Sequence, residues 1–109
     1  MSTINRVNGG TATATAGAAT LNNRFGIITT EALTTAQAAT YTLTITNSQI
    51  AATDMVFVSI GYGTNSQGTA VVTKVTPAAG SLVIIVNNMH ASAVAFNGTL
   101  KIAYASFPA

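Results

Sequence analysis

Acid–base chemistry in this chain would have to come from three side chains. His90 is the only histidine, and Glu31 and Asp54 are the only acidic residues. A general base needs a group that orients it, and both carboxylates are distant from His90 in the sequence. The segment N-N-M-H-A-S-A around His90 is typical of a loop between two strands. The sequence therefore predicts a structural histidine and no enzyme; a hydrolase built around His90 is the alternative, which a His90→Ala variant tests.

Ligand-binding motifs have equally little support. Metal sites usually need three or four His, Cys, Asp or Glu ligands, and the chain has one His, two acidic residues and no Cys. The glycine-rich segment G-Y-G-T-N-S-Q-G at 61–68 has no Lys and no following helix, which favours a strand connection over a phosphate-binding loop. The triplet Asn97-Gly98-Thr99 matches a glycosylation sequon, but it is also typical of a hairpin turn. We expect no metal and no cofactor.

The composition excludes two classes of partner. Charged residues make up 6% of the 109 residues, against roughly 25% in a typical globular protein. The chain instead has 19 Thr, 20 Ala and nine Asn. The net charge of +2 comes from scattered residues, whereas nucleic acids and anionic membranes require clustered Lys or Arg. The first seven residues lack the apolar region of a signal peptide, and the apolar run at 82–86 is far shorter than the roughly 20 residues of a membrane span. We therefore expect neither a nucleic-acid nor a membrane partner.

The pattern of β-branched residues predicts an all-β chain. The segment T-Y-T-L-T-I-T at 40–46 alternates strictly, so that Tyr41, Leu43 and Ile45 share one face. Residues 100–105 alternate in the same way, and Tyr41 and Tyr104 are therefore expected in the core. Further strands are predicted at 25–30, 55–60, 69–76 and 82–86. Helices are expected only as short turns at 35–39 and 48–53. Several short strands separated by turn signals predict an antiparallel β-sandwich of about seven or eight strands.

Two of these strands, at 55–60 and 82–86, are apolar on both faces. A strand of this kind lies in the middle of a sandwich or beneath a neighbouring subunit. Tyr62 and Phe107 fall outside the predicted core and are candidates for exposed contacts.

The first 20 residues have a different character. The segment T-A-T-A-T-A at 11–16 alternates but has no side chain larger than Thr, and glycines flank it. Such a strand buries little apolar area to hold it on a core. Two interpretations are open: a mobile tail, or an arm that adds to a neighbour's sheet through main-chain hydrogen bonds. We therefore divide the chain into an extended or flexible arm at 1–20 and a single β-sandwich domain at 21–109.

Four segments carry a resemblance to a known family. They are T-L-N-N-R-F-G-I-I-T-T-E-A-L-T-T-A at 20–36, T-Y-T-L-T-I-T-N-S at 40–48, G-T-A-V-V-T-K-V-T-P-A-A-G-S-L-V-I-I-V at 68–86 and H-A-S-A-V-A-F-N-G-T-L-K-I at 90–102. Over about 20–106 the sequence resembles the small capsid decoration, or cement, proteins of tailed bacteriophages. The resemblance implies a virion structural protein that binds the outer surface of the head and clamps the major capsid protein lattice.

The resemblance also implies partners and a location. The expected partners are the major capsid protein and further copies of the chain, as a homotrimer or alternatively a dimer, on the outer capsid surface after synthesis in the host cytoplasm. We expect Ile4, Arg6, Val7 and Arg24 at the capsid contact, because an Arg in a neutral region can form a bidentate pair with a capsid carboxylate. The alternative function is a receptor- or glycan-binding β module of a tail fibre or spike. That module would use the glycine-rich segment with Tyr62, Asn65 and Gln67.

Overall fold

The computed structural model describes residues 9–108, which form eight strands. The strands are β1 (Gly9–Thr13), β2 (Ala18–Thr20), β3 (Phe25–Thr29), β4 (Thr40–Thr46), β5 (Met55–Tyr62), β6 (Ala70–Ala78), β7 (Ser81–Asn88) and β8 (Leu100–Phe107). This confirms the all-β prediction and the number of strands. No helix in this part of the chain is long and apolar enough to cross a membrane.

The eight strands form two four-stranded sheets. Sheet A has the order β1-β3-β8-β5, and sheet B has the order β2-β4-β7-β6. Four of the strand pairs within residues 9–108 are antiparallel, as predicted. The pairs β1–β3 and β2–β4 are parallel, so both sheets are mixed rather than purely antiparallel.

Alternating side chains place one face of each sheet in a shared core. On β4 the predicted residues Tyr41, Leu43 and Ile45 are buried, while the Thr residues between them are exposed. This follows because successive side chains of a strand point to opposite faces. Tyr104 on β8 is buried as predicted. The buried apolar residues of both sheets form a single cluster whose largest fully buried members are Ile28, Leu43, Ile45, Leu82, Ile84, Val86, Phe96, Leu100 and Ile102.

The second half of the predicted arm belongs to the two sheets. Gly9–Thr13 pairs with β3 and Ala18–Thr20 pairs with β4, so the chain passes from sheet A to sheet B between these strands. Gly17 in this crossing has a φ of 78°, and a Cβ atom there would lie 2.6 Å from the carbonyl oxygen of Thr42. The described strands therefore begin before residue 21. Residues 1–8 lie outside the described part of the chain.

Of the two placements predicted for 55–60, the middle of the sandwich is wrong, whereas a place beneath a neighbouring subunit stays a prediction. β5 is an edge strand that pairs only with β8, and Met55 and Phe57 are 60% and 64% exposed. Both side chains point away from the core, on a face that no other element of residues 9–108 covers. The second strand that is apolar on both faces, β7, lies inside sheet B, with one face buried and the other half-buried.

Candidate interaction surface

The outer face of sheet A carries a cluster of exposed apolar side chains. Strand alternation turns these residues away from the core on β3, β8 and β5. We call this surface the apolar face, and it comprises Phe25, Ile27, Met55, Phe57, Ala103, Ala105 and Phe107.

The strand register brings the members of the apolar face into contact. Phe25 and Phe57 are both register partners of Ala105, one on each side of it. Met55 is the partner of Phe107. The rings of Phe57 and Phe107 pack edge to face, with their centroids 5.6 Å apart and an interplanar angle of 88°. The small side chain of Ala105 leaves the larger rings standing above the sheet.

The apolar face is comparable in area with the largest apolar patch of a typical monomer. From the exposed fractions of its five large side chains, it presents roughly 500 Å² of apolar surface. The largest patch on a typical monomer covers roughly 300–600 Å² and is often functional. Covering such an area gains about 12 kcal/mol before the costs of association, at ~25 cal/mol per Å². The apolar face therefore has enough area to drive binding.

Among residues 9–108, charged groups lie only at the margins of the apolar face. Lys101 is exposed at its far end, where it pairs in register with Thr29 and Gly61. Arg24 directly precedes Phe25 at the opposite end. The centre of the face is uncharged, so a partner can cover it without burying an unpaired ion.

Arg24 and Asp54 form an ion pair at the rim of the apolar face. The Asp54 carboxylate accepts hydrogen bonds from the Ala51 N–H at 3.1 Å and from the Ser106 hydroxyl at 2.9 Å. Arg24 Nη1 lies 3.6 Å from Asp54 Oδ2. The Ala51 hydrogen bond, then that of Ser106, lowers the pKa of Asp54 below its ordinary value, and the charge of Arg24 adds to this effect. The carboxylate therefore stays ionised beside the guanidinium.

The predicted contact residue Arg24 is partly exposed. Its side chain is 42% exposed, whereas its Nη1 is buried beside Asp54 and has no hydrogen-bond partner among residues 9–108. The Arg24 carbonyl accepts a bond of 2.7 Å from Ser106 N–H, which fixes the backbone. A depression of about 320 Å³ adjoins it, lined by Asn22, Asn23, Arg24, Phe25 and Gln49. The other predicted contacts, Ile4, Arg6 and Val7, lie outside the described residues.

The predicted glycan residues use their polar atoms to hold their own loop. The Tyr62 hydroxyl donates to the Gly68 carbonyl at 3.1 Å and accepts from Ala70 N–H at 2.9 Å. Asn65 is buried and donates to the carbonyl of Gln67 at 2.8 Å. Gln67 donates in turn to the carbonyl of Ala95 at 2.6 Å. The structure brings these residues together, and their contacts favour a structural role for the loop.

His90 and the two carboxylates belong to separate hydrogen-bond networks. The Ser92 N–H donates to His90 Nδ1 at 3.0 Å. The Glu31 carboxylate accepts from Gly17 N–H and from the Tyr41 hydroxyl, both at 2.8 Å. Burial, followed by this hydrogen bond, raises the pKa of Tyr41. Within residues 9–108 no three His, Asp or Glu side chains are grouped as metal ligands.

The sequence identified Phe107 as exposed but missed most of the apolar face. Met55, Phe57, Phe25 and Ile27 were placed on strands without an assigned side. The feature of the sequence that could have indicated this face is M-V-F-V-S-I, in which the large side chains of Met55 and Phe57 stand at alternate positions and therefore share one side of the strand.

Comparisons of the chain with protein-family models, with curated proteins and with solved structures found no match. What the surface binds therefore has to be inferred from its own chemistry.

Proposed function

We propose that the chain is a virion structural protein that decorates the outer surface of a tailed-bacteriophage head and stabilises the lattice of the major capsid protein. The observation that carries this proposal is the uncharged apolar face, with Met55, Phe57 and Phe107 each more than half exposed. We interpret the two sheets and their shared core as a β-sandwich that presents this face. The resemblance of 20–106 to decoration proteins supplies the class of partner.

The apolar face is the part of the surface suited to lie on a shell. A capsid protein that covers it removes Phe57 and Phe107 from water, and no charge in the centre of the face opposes that burial. The opposite outer face, on sheet B, carries the exposed side chains of Thr40, Thr42 and Thr44. These hydroxyls remain hydrated at no cost, so this second face stays in solvent.

The rim of the apolar face supplies a polar contact. Arg24 is paired with Asp54, and its side chain is 42% exposed, so we infer that its guanidinium can also pair with a carboxylate of the capsid protein. The other proposed contacts lie within residues 1–8, which precede Gly9 in the sequence, and Gly9 is the register partner of Phe25. Arg24 and Gly9 are therefore at the same end of the sheet.

Co-sedimentation of the purified protein with heads of its own bacteriophage, before and after head expansion, tests the proposal. The variant Phe57→Asp places a charge on the apolar face, and Thr76→Asp is the matched control. Both residues are exposed, point outward and lie on edge strands. We expect Phe57→Asp to weaken binding by more than about tenfold, because an unpaired buried carboxylate costs several kcal/mol. Thr76→Asp should bind as the unmodified chain does.

Two outcomes contradict the proposal. Absence of the unmodified protein from sedimented heads refutes the function itself. Equal binding by Phe57→Asp and Thr76→Asp refutes the apolar face as the contact. Far-ultraviolet circular dichroism of each variant establishes that the strands are intact.

A chain that lacks residues 1–8 tests the contacts proposed at Ile4, Arg6 and Val7. This truncation retains β1, whereas removal of 1–17 would delete β1 and Gly17 and disturb both sheets. Weaker head binding by the shorter truncation supports these contacts, and unchanged binding refutes them.

A further inference from the structure

The four sheet edges within residues 9–108 are protected to different degrees. Edge strands expose unpaired N–H and C=O groups that pair with other chains unless charges, prolines, bulges or short length prevent it. β2 has three residues and β1 has five. β6 has a register shift between Val72 and Lys74 and contains Pro77. Its Ala70 N–H is also bonded to the hydroxyl of Tyr62.

β5 has none of these protections. Its eight residues, M-V-F-V-S-I-G-Y, include no charge and no proline. Its pairing with β8 runs without a shift from Met55 to Tyr62. It is therefore a long, regular and uncharged edge, and its outer side is available to another strand.

The backbone groups on the open side of β5 can be assigned. On β8, Ser106 N–H donates to the Arg24 carbonyl and the Leu100 carbonyl accepts from Thr30 N–H, so the even-numbered residues of β8 direct their backbone N–H and C=O groups toward β3. The odd-numbered residues of β8 then direct theirs toward β5, where their register partners are also odd-numbered residues. In an antiparallel pair the bonded residues alternate with non-bonded ones. The even-numbered residues Val56, Val58 and Ile60 therefore direct their N–H and C=O groups outward, and no hydrogen bond from residues 9–108 reaches these groups.

We propose that a second copy of this chain pairs with this edge, β5 against β5, antiparallel about a two-fold axis. A two-fold interface uses the same surface on both copies, so the outward groups of Val56, Val58 and Ile60 on one copy are satisfied by the same strand on the other. No like charges meet, because β5 has none. Sheet A becomes an eight-stranded sheet, and the two apolar faces join across the axis. This inference does not depend on capsid binding.

The location of the apolar side chains supports a second copy as the partner. Met55 and Phe57, the most exposed large apolar residues of the described chain, both lie on β5. Pairing at this edge brings each of them closer to the apolar face of the second copy. Because every copy has the same apolar edge, the surface is complementary to itself.

Analytical ultracentrifugation of the full chain over micromolar to millimolar concentrations tests the proposal. The variant Ser59→Lys places a charge at an exposed, outward-facing position in the middle of β5, where the two-fold axis brings two lysines close together. The matched control is Thr76→Lys on the edge strand β6. We expect a dimer for the unmodified chain and for Thr76→Lys, and a dimer dissociation constant raised by more than about tenfold in Ser59→Lys.

Amide hydrogen exchange distinguishes strand pairing from packing of the apolar faces. The N–H groups of Val56, Val58 and Ile60 should exchange more slowly at high than at low concentration of the unmodified chain, because pairing engages them. This comparison needs no variant, so it remains decisive if Ser59→Lys fails to fold. A dimer whose exchange at these three amides does not depend on concentration overturns the proposal.

Other results also overturn it. These are a monomer at every concentration, a trimer, or a dimer of undiminished stability in Ser59→Lys. A chain without residues 1–8 should still dimerise, and its failure to do so would assign the pairing to that segment instead. Head binding is measured separately, so a dimer that does not bind heads contradicts only the proposed function. Heads that bind a monomer contradict only the present inference.

Discussion

Asn88 connects four segments of the chain from a fully buried position at the end of β7. Its Oδ1 accepts hydrogen bonds from the N–H groups of Thr69 and His90, both at 3.2 Å. Its Nδ2 donates to the carbonyls of Thr35 at 3.1 Å and Val94 at 2.8 Å. All four hydrogen-bonding positions of the side-chain amide are therefore used. We predict that this side chain is among the largest polar contributors to stability.

The size of the effect follows from the three backbone groups that lose their partner. The substitution Asn88→Ala leaves the N–H groups of Thr69 and His90 and the carbonyl of Val94 unsatisfied, whereas the carbonyl of Thr35 still accepts from Phe96 N–H at 3.0 Å. Each unsatisfied buried group costs about 1–3 kcal/mol, and these groups are partly buried, so the lower end of that range applies. We expect a loss of about 3 kcal/mol, a large part of the roughly 5–15 kcal/mol of a domain.

Asn88→Asp separates the two halves of the network. The carboxylate still accepts from Thr69 and His90, but it places a negative oxygen against two carbonyls. At neutral pH the loss of stability should be at least as large as for Asn88→Ala. In acid a protonated carboxyl donates again, so the difference between Asn88→Asp and the unmodified chain should become smaller.

Urea unfolding followed by circular dichroism measures these differences, since the chain has no Trp. The control is Asn87→Ala on the adjacent position, where the side chain accepts a single bond from the Thr73 hydroxyl at 2.7 Å. Its loss should be about 1 kcal/mol. The reasoning is refuted if Asn88→Ala costs no more than Asn87→Ala, or if Asn88→Asp shows no recovery in acid.

Three further predictions concern ionisation and packing. The pKa of Asp54 is lowered from 3.8, so the contribution of this carboxylate to stability should be complete above pH 3.8 and should disappear as the pH falls below that value. In urea unfolding, Asp54→Asn should flatten this part of the pH profile. Burial raises the pKa of Tyr104 from 10.0 to about 12, so stability should fall as the pH rises between these values, and Tyr104→Phe should reduce that fall. Gly68→Ala should destabilise more than Gly80→Ala in thermal unfolding. Both residues have positive φ, but a Cβ at Gly68 would lie 2.7 Å from the Phe96 ring, whereas a Cβ at Gly80 meets nothing within 4 Å. The clash with the ring should add about 1–3 kcal/mol to the loss of stability in Gly68→Ala. Equal losses for the two variants would contradict this role of the ring.

The strands that could be predicted are those whose sequence distinguishes their two faces. On β4 the alternation of Thr with Tyr41, Leu43 and Ile45 specifies both the strand and its buried side, and the observed bounds are the predicted ones. On β5 the residues of both faces are apolar, so periodicity identifies a strand but not the side that is covered. Which side faces water depends on whether another layer lies over it, and this is a property of the whole chain.

The parallel N-terminal strands were missed for a different reason. Small side chains contribute little area, and the sequence therefore favoured an arm over a strand of the domain. In the structure Ala14 is buried and Ala12 packs against the core, while the ladder with β3 supplies main-chain hydrogen bonds. Such a strand is specified by the space that its neighbours leave, and this cannot be deduced from local composition.

The scarcity of charge has a structural consequence that connects the two proposals. Arg24, Asp54 and Glu31 are engaged in contacts within the fold, and the exposed Lys74 lies on the β6 edge. This leaves β5 and the centre of the apolar face without the charges that usually prevent association. The edge offers main-chain groups that pair with another strand, whereas the face offers apolar side chains that pack against an apolar layer, so the two contacts use different chemistry. We therefore expect two distinct contacts: a second copy at the β5 edge, and the capsid lattice on the joined apolar faces.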